Sequence, residues 1–136
     1  MTKQELREIA KSRLKEAKLL HDNGFYDGAV YFCGYVLETA LKARICKHLK
    51  VNEYPSNIHK RAFKVHKLDL LLLISGLKNS IITTQELFTN WNLLSKWETD
   101  LRYKAIGSAT PQLSEDMIKA LEDTPYGLFT WIKKRW

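Results

Sequence analysis

The chain has 136 residues, 45% hydrophobic and 27% charged, with 22 Lys and Arg against 15 Asp and Glu. That length fits one domain, residues 1–136, with a sizeable core, and the composition excludes a disordered chain. No apolar run approaches the ~18 residues of a membrane span, and the charged start MTKQELREIAKSRLKEAK carries no secretory signal, so no membrane association and a cytoplasmic location are expected.

Residues 2–22 read as a first helix, with Leu6, Ile9, Ala10, Leu14, Ala17 and Leu20 at helical spacing and Thr2 and Glu5 placed for a capping box. HDNGFYDGA interrupts it, with Gly24 suited to the left-handed position after a helix end. A second helix is predicted from about Asp27 to Leu49. Cys33 and Cys46 both fall on it, ~20 Å apart at ~1.5 Å per residue, beyond disulfide reach, so reduced thiols are expected. KVNEYPSNIHKRAFKV has no clear period and reads as a basic loop. A third helix, His66 to Leu77, is apolar nearly all round and is expected to be central.

The fourth predicted helix is long, from about Thr84 to Ile106, with Thr83 or Thr84 as cap and Leu87, Trp91, Leu94, Leu101 and Ala105 facing inward. A last helix begins near Ser114, and Pro125 either kinks it or restarts it with Thr124 as cap. No strand pattern is evident. The architecture predicted is an all-α, antiparallel up-and-down bundle of four to five helices.

Within the second helix Glu38 lies on the flank of an apolar stripe made by Ala29, Cys33, Val36, Leu37 and Ala40. A carboxylate at a core edge is costly unless paired. Glu98 and Arg102, an i, i+4 pair, lie about 40° and 80° around the wheel from Leu94, on or beside the inward stripe. Arg102, Glu98 and Glu38 are therefore the candidate catalytic residues, expected to meet as a charged triad, with a register-fixing salt bridge as the plainer alternative. Between Lys42 and Lys67 stand eight basic residues and one acid, Glu53, so this window holds the whole net charge of +7. Such clustering fits either a polyanion footprint or helix-end charges complementing a dipole. Arg102, Lys42, Lys60, Arg61, Lys64 and Lys67 are the candidate phosphate-binding residues. His48, His59 and His66 have no ligand spacing, so neither a metal nor a cofactor is expected.

LLHDNGFYDGAVYFCGYVLETALKA, then VHKLDLLL, then LRYK, resembles the HEPN family of small helical domains over about residues 5–135. The resemblance rests on Glu38 before Ala40–Leu41–Lys42–Ala43, on His66 before a Leu-rich helix and on Arg102–Tyr103 late in the fourth helix. It implies a helical bundle that often dimerises. It also implies a function as an RNA- or nucleotide-associated binding or regulatory module, a toxin–antitoxin component or the partner of a nucleotidyltransferase. Ribonuclease members of the family act without metal, using an Arg, an adjacent polar residue and a His four to six positions on. Here Tyr103, Lys104, Ala105, Ile106, Gly107 and Ser108 follow Arg102, and no His occurs after His66. A binding or regulatory homodimer is the expected function. A metal-independent ribonuclease with a non-standard site and a structural homodimer are the alternatives.

Overall fold

A computed structural model describes residues 1–56 and 66–136, and it is helical throughout, without strands among those residues. Helix α1, Lys3–Asp22, starts at the expected box: Glu5 N–H donates to Thr2 Oγ1 at 3.1 Å and Thr2 N–H to Glu5 Oε2 at 2.7 Å. Gly24 takes the left-handed turn position, and α2, Tyr26–His48, runs back along α1.

Helix α2 is the centre of the molecule. Thirteen of its residues are buried, on every side of the helix, and it packs against α1 and against four later segments. The third predicted helix was expected in that place, and the structure corrects this. It is the short α3, Leu68–Ser75, which buries Leu68, Leu71 and Leu72 while Leu70 and Leu73 stay exposed. Apolar content alone does not set burial; α2, with its small Ala, Gly, Cys and Thr residues, lets neighbours approach on all faces, and bulky leucines do not.

Gly76 ends α3 with φ +74°, and a β-carbon there would also meet the His48 ring, 2.8 Å from Cε1. A short α4, Lys78–Thr83, follows, where no helix was predicted. Helix α5, Gln85–Leu94, buries Leu87, Trp91 and Leu94 as expected. It stops there. The predicted continuation to Ile106 is replaced by extended backbone at Glu98 and a single 3-10 turn over Thr99–Tyr103.

The reason is Trp97. On a continuous helix it would point about 60° from Leu94 and 120° from Trp91, at the edge of the inward face. Breaking the helix lets the indole sink to 4% exposure against Gly34 of α2, a position where any β-carbon would fall inside the ring. Its Nε1–H donates to the Tyr31 carbonyl at 3.0 Å. Burial of a large aromatic with its one polar group satisfied outweighs the few hydrogen bonds a further helical turn offers.

Helix α6, Pro111–Glu122, begins three residues before the expected Ser114, because Thr110 caps it by accepting from Leu113 N–H and Pro111 occupies its first turn. Pro125 does not open a helix. It follows a cis Thr124–Pro125 bond, and α7, Leu128–Lys133, starts after Gly127. The buried side chains form one core cluster. The bundle expected from four or five helices is thus built from seven among the described residues, the first two as long as expected and the later ones shorter.

Gly34→Ala is expected to lower stability by about 1–3 kcal/mol, the usual cost of overfilling a packed site. A reduced urea midpoint with retained helical circular dichroism checks it. An unchanged midpoint shows that the indole does not need this gap.

Candidate anion-binding site

Glu38 is buried, at 3% exposure, as its place on an apolar stripe requires. Its partners differ from those predicted. Oε1 accepts from Lys42 Nζ at 2.7 Å and lies 2.9 Å from His66 Nδ1, while Oε2 has no hydrogen-bond partner. Lys42 is one turn on along α2, with only 14% of its side chain exposed, so its charge is spent on Glu38. His66 stands just before α3 and ties the entry of that helix to α2.

Glu98 and Arg102 are both exposed, and no ion pair joins either of them to Glu38 or to each other among the described residues. The break at Trp97 explains this, since the wheel angles that brought the three together assume unbroken helix. Arg102 lies instead on the 3-10 turn, its guanidinium 4.9 Å from the centre of the Tyr103 ring. Hydrogen bonding to Tyr103 first, and to Tyr31 second, favours its charged form further. Tyr31 is itself fixed: its hydroxyl is 2.9 Å from that of Tyr35, and both rings pack around Trp97. Burial, and then this hydrogen bond, push the Tyr35 hydroxyl up to about 12.

Beside Arg102 opens a cleft of about 300 Å³. Val30, Leu101, Ile106 and Leu113 supply apolar wall, and Arg102 and Lys104 supply charge. Its outer side is the loop of residues 105–109, held by Asp27 in the first turn of α2. The Asp27 carboxylate accepts Gly107 N–H at 2.7 Å and Ala109 N–H at 2.8 Å, and these two bonds lower its pKa. One carboxylate thus fixes the loop to the central helix, and Asp27 is the only acid among the described residues that line the cleft.

The basic window divides. Lys42 is engaged, and Arg44 donates to the carbonyls of Ser75 and Arg135. Lys47, Lys50 and Lys67 are exposed, and Lys60, Arg61 and Lys64 lie outside the described residues. Lys47 and Lys50 sit at the far end of α2, ~30 Å from Asp27 at 1.5 Å per residue. They do not share the Arg102 cleft.

Sequence reasoning missed four of the residues that matter: Asp27, Tyr31, Lys104 and His66 in its contact with Glu38. The i, i+4 spacing of Glu38 and Lys42 was a usable signal for one partner. Nothing local signals that Asp27 reaches a loop eighty residues away.

The HEPN domain model matches residues 3–124, nearly the whole chain, and the protein belongs to the HEPN family. No curated protein and no solved structure matches it. The all-helical bundle is the fold expected of that family, and no described helix is long and apolar enough to cross a membrane.

Two outcomes follow from these contacts. Glu38→Ala is expected to cost about 3–5 kcal/mol, because it strands a largely buried ammonium. His66→Ala is expected to cost about 1 kcal/mol or less, since 55% of that side chain is exposed; urea denaturation of both variants checks the ranking. For Asp27, the lowered folded pKa means the unfolded chain binds the proton more readily. Its stabilisation is therefore complete above the ordinary carboxylate range, ~4, and is lost as pH falls through the lower folded value. The amide resonances of Gly107 and Ala109 should move in that acid window, and the movement should be absent in Asp27→Asn.

Proposed function

We propose that the protein is an RNA- or nucleotide-binding regulatory module, with Arg102 as its principal phosphate ligand. The observation carrying this reading is an exposed guanidinium, set against the Tyr103 ring beside an apolar cleft, with Lys104 next to it and no ion-pair partner for either cation among the described residues. A planar guanidinium with free donors suits bidentate contact to phosphate. Exposed Tyr103 offers a stacking face for a base. Membership of the HEPN family supports a nucleotide- or RNA-related role.

Glu38 and Glu98 have no part in orienting Arg102 in this reading; its guanidinium lies instead over the Tyr103 ring. The partners we assign are a second copy of the chain, for which the exposed Leu70 and Leu73 of α3 are the suitable surface, and a nucleotidyltransferase-type protein. We place the module in the cytoplasm. The family's nuclease route needs a His after Arg102, and losing a positioned acid–base group costs roughly 10²–10⁴-fold in rate.

Fluorescence anisotropy with a short single-stranded RNA in EDTA tests the reading. Affinity should fall roughly tenfold from 50 to 200 mM salt, and Arg102→Ala should weaken binding and flatten that slope. Cleavage that depends on Arg102 would establish a ribonuclease instead. Absent or salt-insensitive binding, with a dimer intact in sedimentation, would establish a structural homodimer.

A further inference from the structure

The far end of α2 carries a second group of cations, in places that local chain preferences do not favour. An open recess of about 280 Å³ is lined by Lys3, Lys47, Lys50, Val51 and Asn52, with no acid among the described lining residues. Lys47 and Lys50 are exposed and Lys3 is half-buried, and no ion pair engages any of the three among the described residues. Glu5 is turned to Thr2 in the capping box. Glu53 lies one residue beyond the lining; set against one lysine, it leaves two uncompensated.

Helix-end electrostatics explains part of this group. Lys47 in the last turn of α2 and Lys50 just past it complement the negative end of the dipole. Lys3 does the opposite, because it opens α1 at the positive end, where a cation is disfavoured. Lys50 is also left-handed, with φ +57°. It sits in the closing turn of α2, where its N–H donates to the Lys47 carbonyl at 3.1 Å and Val51 N–H to the Cys46 carbonyl at 2.9 Å. Glycine is the usual residue there, since a β-carbon makes left-handed backbone costly, and Gly24 and Gly76 fill that place after α1 and α3. Two unfavourable local choices thus converge on one recess, as happens where a site is kept for what it binds.

The backbone beside the recess indicates the kind of ligand. Residues 51–54 run antiparallel to residues 1–3: Lys3 N–H donates to the Asn52 carbonyl at 2.8 Å and Tyr54 N–H to the Met1 carbonyl at 2.9 Å. In that register the N–H and C=O of Glu53 point away from residues 1–3, and neither has a backbone partner among the described residues. An unpaired edge of this kind accepts another extended peptide. Leu49 and Val51 add exposed aliphatic surface. No aromatic side chain is among the described lining residues for a base to stack on.

We propose that this end of the bundle docks an extended acidic segment of a partner protein. Its carboxylates meet Lys3, Lys47 and Lys50, its backbone pairs with Glu53, and its aliphatic side chains cover Leu49 and Val51. The surface lies ~30 Å along α2 from Asp27 and the Arg102 cleft, and neither depends on the other.

Backbone amide NMR of the full chain at 100 mM salt tests this with four probes. They are a blocked octapeptide alternating glutamate and valine, the same peptide with glutamine for glutamate, a uridine hexanucleotide, and phosphatidylserine vesicles. The glutamate peptide should shift the amides of Lys3, Lys50, Asn52 and Glu53 and leave those of Gly107 and Ala109 in place. It should bind about tenfold more tightly than the glutamine peptide, the order expected of two or three exposed ion pairs. Lys3→Gln with Lys47→Gln should abolish that difference. Lys50→Gly should raise the urea midpoint, since glycine takes the left-handed turn freely, and yet weaken the glutamate peptide.

Equal affinity for the two peptides, shifts confined to other residues, or a Lys50→Gly chain that binds as tightly as the unaltered one overturns the proposal. So does a hexanucleotide or vesicle that moves or broadens these amides when the glutamate peptide does not, which would make the recess a polynucleotide or bilayer contact.

Discussion

The seating of Trp97 on Gly34 is the contact from which the rest of the candidate site follows. Because α2 offers no side chain at position 34, an indole can lie directly against its backbone. Taking that place ends α5 at Leu94 and turns the chain outward at Glu98. The same indole donates to the Tyr31 carbonyl and packs on the rings of Tyr31 and Tyr35. Arg102 then emerges on a short 3-10 turn next to Tyr31 and not on a helix facing the core. Asp27 completes the arrangement from the other side, four residues earlier on α2, by holding the loop that leaves this turn. Two points on one helix, Asp27 and Gly34, therefore define the cleft.

Glu38 solves a different problem. A buried carboxylate loses its hydration and must recover it from neighbours. Lys42 does so from the same helix, so the pair forms wherever α2 forms and contributes little to specifying the fold. His66 comes from outside α2 and fixes where α3 begins. Both contacts use Oε1, leaving Oε2 buried and unsatisfied, which makes this cluster sensitive to loss of either partner. Burying the charge this way also uses Lys42 internally, which reduces the basic window that sequence alone presents as a surface.

Elements defined by local chemistry were legible in the sequence. The Thr2–Glu5 box, the Gly24 turn and the period of α1 and α2 all involve residues within one or two turns of each other. Burial of Glu38 was legible for the same reason, since it follows from the wheel of a single helix. What failed was every inference extended along one helix through a tertiary event. Glu98 and Arg102 were placed by counting 100° per residue from Leu94, and the count lost meaning where Trp97 left the helix. The leucines of α3 misled in the opposite way, because hydrophobicity reports what can be buried and not what finds a neighbour. The role of Asp27 was hidden by its eighty-residue separation from the amides it accepts. Resemblance to the HEPN family recovered the fold, although its motif does not say that the fourth helix is broken before Arg102.

The chemistry around Arg102 favours holding an anion over transforming it. Transfer of a 2′-hydroxyl proton needs an acceptor within hydrogen-bond reach of the substrate. Arg102 only donates. Burial and its bond to Tyr31 push the Tyr35 hydroxyl up to about 12, so at neutral pH it keeps its proton. Lys104 is exposed, and its ammonium only donates. Asp27, the one carboxylate among the described residues of the lining, has its oxygens occupied and its pKa lowered, which makes it a weaker base than an ordinary aspartate. The carboxylate–imidazole couple that resembles an acid–base device, Glu38 with His66, is joined to Arg102 by no hydrogen bond or ion pair among the described residues. In the reading proposed above, a site made of donors and cations, with its acceptors already satisfied, is suited to holding phosphate.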